Sequence, residues 1–158
     1  MKAIKTVEPW ALEPLEKFLA EASARLCLLT TPTGQVIAQY GFSRAVDVIS
    51  AAALGAGIIS SSREMAVMLE EPAFDALNHQ GERHGIFLAE FSSPRGGLVV
   101  LIVYGPESSP GLVQLFFEEF VRDIDASCPP PAQQAPVLAA DFEKELNDNL
   151  RTLSSGDV

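Results

Sequence analysis

The chain has 158 residues, enough for one domain with its own core, and 47% of them are hydrophobic, which excludes wholesale disorder. Its formal net charge is −10, and the 11 Lys and Arg residues are scattered singly along the sequence. That pattern argues against nucleic-acid binding and against an anionic membrane surface.

The N-terminus lacks an apolar run of the kind a signal peptide needs, and no apolar window is long enough to span a bilayer, so a cytoplasmic protein without membrane insertion is expected. Cys27 lies in an apolar run and is expected to be buried. Cys128 opens a Pro-rich stretch and is expected to be exposed, as an unpaired thiol suited to a reducing compartment.

Leu12, Leu15, Leu19 and Ala22 form one stripe of an amphipathic helix that starts near Glu13, with Pro14 in its first turn and Trp10 packing back ahead of it. The spacing then predicts strands over 25–31 and 35–40, joined by a turn at Thr31–Gly34. Pro32 presets the second turn position and Gly34 suits the fourth.

A long helix is predicted over about 45–69. Between Asp47 and Arg63 it carries no charge, and its side chains are small nearly all round. A surface helix normally shows a charged face, and two helical glycines ask for a packing reason. We read this helix as covered by its own sheet on one side and by a second subunit on the other, with Ala52, Ala53, Ala56 and Gly57 at the seam. The alternative is a helix enclosed within one chain.

Three strands follow, over 74–80, 84–91 and 97–105, joined by connections short enough for antiparallel hairpins. The last is apolar on both alternating faces, so it belongs at the centre of a sheet covered on both sides. Ser109 caps and Pro110 starts a helix with Leu112, Val113, Phe116, Phe117, Phe120 and Ile124 inward, and with Glu118, Glu119, Asp123 and Asp125 outward. A Pro-rich linker over 127–138 separates this domain, 10–126, from a C-terminal amphipathic helix over 139–153. Phe142, Leu146, Leu150 and Leu153 make its apolar stripe, too small to fold alone and expected to dock on a partner.

Catalytic chemistry is thinly represented. There is no P-loop, and Gly55-Ala56-Gly57 lies inside a helix without a following Lys. His79 and His84 fall on different strands without an evident third metal ligand. Glu70-Glu71 and Glu118-Glu119 are neighbours that do not face one another on a helix. Cys27 has no activating base nearby. No catalytic residue, metal or cofactor is therefore expected; an enzyme using His79, His84 or Cys27 is the weakest of the readings.

The order of elements, helix, hairpin, long helix, three antiparallel strands and helix, resembles the roadblock/dynein light chain family, and within it the bacterial MglB-like group. The residues that carry the resemblance are Arg25–Leu29, Thr33-Gly34-Gln35-Val36, Ala56-Gly57, Phe74, His79-Gln80-Gly81-Glu82, Val99–Tyr104 and Gly111-Leu112-Val113. It covers roughly residues 10–126 and implies an α+β fold: a five-stranded antiparallel sheet with helices on both faces, followed by a variable C-terminal helix. It further implies a homodimer whose sheet runs across both subunits, and a Ras-like small GTPase of the MglA type as partner, whose hydrolysis or nucleotide state the dimer modulates without an arginine finger. By matching position, Ser60 and Glu64 on the long helix would face that GTPase. Gln114 and Glu118 on the last core helix stand where the family often carries basic groups. With Phe142, Leu146 and Leu150 of the tail they complete the expected partner-binding set. A non-catalytic scaffold that assembles with other roadblock subunits, or with a polarity or motility complex, is the alternative.

Overall fold

In a computed structural model the described residues are 5–6, 8–41, 44, 47–131 and 144–151. A six-stranded antiparallel sheet organises them: β1 (Lys5–Thr6), β2 (Leu26–Thr30), β3 (Val36–Gly41), β4 (Leu77–Gln80), β5 (Gly85–Ser93) and β6 (Gly96–Tyr104), in the spatial order β1-β3-β2-β6-β5-β4. Five of these strands are the expected ones. The sixth, the two-residue β1, pairs with Ala38 and Gln39 and covers one edge of the sheet.

Three helices flank the sheet: α1 (Leu12–Glu21), preceded by a single 3-10 turn at Pro9–Ala11, α2 (Val48–Met68) and α3 (Pro110–Ser127). A fourth helical segment, 144–151, lies beyond the core. α3 starts as its sequence dictates: Pro110 occupies the first turn, and the Ser109 hydroxyl accepts a hydrogen bond from the Leu112 N–H at 3.2 Å. The β2–β3 turn closes through the Gly34 N–H donating to the Thr31 carbonyl, and Gly34 sits at φ +94°, where a side chain would be strained. A Cβ there would also come within 3.2 Å of the Ala52 carbonyl oxygen, so glycine lets this turn tuck beneath α2.

The two faces of β6 divide the core. Leu98, Val100, Ile102 and Tyr104 point into a cluster with α1 and α3, whereas Val99, Leu101 and Val103 point into a second cluster beneath α2. β6 lies between β2 and β5, the interior position that its doubly apolar pattern requires. On the α1/α3 side the Phe18 and Phe120 rings stack with centroids 4.8 Å apart, and Phe117 meets Phe87 at 5.3 Å. The Lys17 ammonium donates to Glu119 Oε1 at 2.7 Å and Asp123 Oδ2 at 3.1 Å, tying α1 to α3 across the surface.

Four expectations are corrected. The strand over 74–80 begins only at Leu77, because Phe74 leaves the sheet edge and lies against the outer side of α2. Cys128 is buried at the end of α3, with its N–H bonded to the Ile124 carbonyl, so it is not an exposed thiol and says nothing about redox compartment. The linker does not begin at Ser127, which is the last residue of α3. Finally, His84 lies in the connection just ahead of β5 rather than on a strand. Positions 132–138 of the linker, and 139–143 and 152–153 of the C-terminal helix, lie outside the described residues.

Candidate functional site

α2 is the element whose packing is unfinished. Of its 21 residues, only Ala52, Gly55, Ile59 and Ala66 are buried. Gly55 faces the sheet, where an added Cβ would meet Leu88 and Leu101 at 3.5 Å. The outward side carries large apolar groups: Leu54 is 68% exposed, Ile58 37% and Met65 57%. Scattered exposed hydrophobic residues are ordinary, but a contiguous run along one helix marks an interaction surface.

That run continues onto the sheet. Between α2 and β4 lies an open groove of about 660 Å³, walled by Leu54, Gly57, Ile58 and Met65 on the helix and by Phe74, Leu77 and His79 on the other side. β4 is an edge strand paired only with β5, so the backbone groups on its outer side are open to a further strand. Gly57 is the most informative residue here. A Cβ added to it would meet nothing within 4 Å, so none of the described residues requires a glycine at this position. Glycine in a helix interior costs about 1 kcal/mol relative to alanine, and a close-approaching second backbone is a reason to retain it.

The structure separates the expected seam residues. Ala53 and Gly57 are exposed on the groove side. Ala52 is buried against the sheet, and the Ala56 methyl group lies beside Gly34, so these two face their own chain. The sequence reading missed Leu54, Ile58, Met65, Phe74 and Leu77. Helical spacing from Gly57 reaches the residues on α2, but only the fold brings β4 alongside.

The expected partner-binding residues are also divided. Ser60 and Glu64 are exposed on α2, while Gln114 and Glu118 are exposed on α3, on the opposite face of the sheet. One rigid partner cannot cover both sets on a single chain. Glu119 and Asp123, counted with the acidic face of α3, are held by Lys17, and their hydrogen bonds raise its pKa. Leu146 and Leu150 are exposed on the helical segment 144–151, and Phe142 lies outside the described residues.

The candidate catalytic groups do not converge. Burial pushes the Cys27 thiol well above its ordinary value, which disfavours the thiolate a nucleophile requires. Among the described residues no three His, Cys, Asp or Glu side chains are grouped to hold a metal ion, and no helix is long and apolar enough to cross a membrane.

No family model and no curated protein matches the chain. Solved structures do. MglB of Myxococcus xanthus is 20% identical with a TM-score of 0.67, over 74% of this chain and 86% of that one. The gliding protein MglB of Thermus thermophilus is 28% identical with a TM-score of 0.64, over 74% of this chain and 87% of that one. A roadblock/LC7 domain of Streptomyces avermitilis is 13% identical with a TM-score of 0.61, over 71% of this chain and 92% of that one. The element order, the central β6 and the two helical layers of this chain thus recur in proteins of one kind. The chain has the roadblock fold and is similar to MglB proteins.

Proposed function

We propose that this domain is a non-catalytic regulator that self-associates through the outer side of α2 and the β4 edge, and in that form binds a Ras-like small GTPase. The observation that carries the reading is the exposed Gly57 in an apolar groove beside an open strand edge, a surface that none of the described residues covers. A second copy supplies the same groove and the same edge, so a two-fold arrangement lets each copy cover the other's apolar wall and extend its sheet.

GTPase binding rests on the likeness to MglB proteins together with the position of Ser60 and Glu64, both exposed on α2. In a paired arrangement the two copies of α2 lie side by side, and these residues flank the joint. Gln114 and Glu118, on the other face, are assigned to a separate contact or to none. The C-terminal helix, with Leu146 and Leu150 exposed, is assigned to a partner rather than to the core.

The test is pull-down of an MglA-type GTPase loaded with a GTP analogue or with GDP, with GTP turnover followed as the domain is titrated. The reading expects binding that depends on the nucleotide and is lost on Ser60→Trp. Nucleotide-independent binding, or none, refutes the GTPase assignment.

A further inference from the structure

Among the described residues His79 is the one titratable side chain that walls the groove, and neither the fold nor the proposed function accounts for it. On β4, Leu77 belongs to the cluster beneath α2, and His79, two positions on, points to the same side and lines the groove. Asn78 points the other way, where its Oδ1 accepts a hydrogen bond from the Tyr104 hydroxyl at 2.8 Å.

Self-association through β4 then restricts what His79 meets. A two-fold axis that keeps both copies of α2 on one side of a continuous sheet makes the two β4 strands antiparallel. Residues opposite one another in an antiparallel pair point to the same face. Pairing all four residues of β4 would set Leu77 against Gln80 and mismatch the faces. Two registers match the faces and still pair three residues. In one, His79 lies opposite its own counterpart; in the other, it lies opposite the counterpart of Leu77. Either way both imidazole rings are sealed into the apolar joint.

We propose that His79 makes self-association of this domain pH-dependent, because the sealed joint excludes the protonated ring. The proposal rests on the self-association reading. The groove that His79 lines is walled by Leu54, Ile58, Met65, Phe74 and Leu77 among others, and Ile86 lies across the β4–β5 ladder; apart from His79, no described residue of that lining is charged or titratable. Glu64 on α2, and Asp75, Glu82, Arg83 and His84 around β4, lie outside the groove lining. Among the described residues, no counter-charge lines the groove to meet an imidazolium buried there, and it faces a like charge in one of the two registers. Protonation and association therefore compete, and association weakens on acidification.

The sign separates this effect from bulk electrostatics. The chain carries a net charge of −10, and acidification reduces that repulsion, which by itself would tighten association.

The experiment is sedimentation equilibrium of the full chain at pH 7.5 and 5.5. Two sealed histidines predict a dissociation constant raised by at least about tenfold at the lower pH. His79→Gln and His79→Asn are expected to remove or invert the dependence, His79→Lys to leave monomer at both pH values, and His84→Gln to keep it. Equal or tighter wild-type association at pH 5.5, or an unchanged dependence in both neutral variants, overturns the switch while leaving self-association intact. A wild-type chain that is monomeric throughout overturns both.

Discussion

The two faces of the sheet are built from the same strands but finished differently. On the α1/α3 face, stacked phenylalanines fill the layer, and Lys17, bonded to Glu119 and Asp123, closes its rim. On the α2 face, small residues let the helix lie close, Arg63 pairs with Glu90 of β5 where the helix meets the sheet, and large apolar groups of the helix point away. A layer completed by large side chains needs no partner. One built on alanine and glycine fits closely below and leaves its upper side smooth for another backbone. The difference teaches that the neutral stretch of α2 is not a core helix with an unusual composition but a two-sided one, enclosed on one side and open on the other.

The comparison can be broken most forcefully from the finished side. Phe120→Ala removes a ring stacked on Phe18 and edge-on to Phe91, and is expected to cost about 3–5 kcal/mol of folding stability, read from denaturant midpoints. Dimer formation by the molecules that remain folded should persist. From the open side, Gly57→Ala is expected to do the reverse. It stabilises the isolated domain by up to ~1 kcal/mol, because the added methyl group meets none of the described residues, yet weakens self-association. Thermal melts at low concentration, with sedimentation of the same variant, separate the two effects.

A smaller effect concerns the rim. Lys17→Met should lower the melting temperature by a few degrees at most, since the pair is solvent-exposed, and high salt should shrink the difference. The smallest concerns Glu107, whose carboxyl is held below its usual range by the Arg25 guanidinium and by backbone hydrogen bonding. Its contribution is present above the unfolded carboxylate pKa and is lost as pH falls through the lowered folded value. The stability difference between wild type and Glu107→Gln should therefore close on acidification. Equal pH profiles for the two proteins contradict the assignment.

Much of this was legible in the sequence, for physical reasons. The doubly apolar run of β6 belongs at the centre of a sheet, Ser109-Pro110 opens a helix, and the uncharged stretch of α2 between Asp47 and Arg63 marks a helix of unusual surface. What was not legible depends on distance in space. Ala52 and Gly57 look alike in a run of small residues, and only the turn at Gly34, reaching beneath the helix, shows that the Ala52 side is enclosed. Periodicity placed the acids of α3 outward correctly, but the partner of Glu119 and Asp123 lies on α1, over a hundred residues away. Glu64 and Glu118 resemble one another as exposed acids, and it is the sheet between them that assigns them to different surfaces.

The central claim is that the open side of α2 is a seam between two copies of this chain. Light scattering of the full chain at micromolar concentration and pH 7.5, beside Gly57→Arg, tests it directly. The account predicts a wild-type mass of twice 16.9 kDa, and a variant at the single-chain mass that keeps the wild-type circular dichroism and cooperative melting. A monomeric wild type, or a Gly57→Arg variant that remains a dimer, would contradict it.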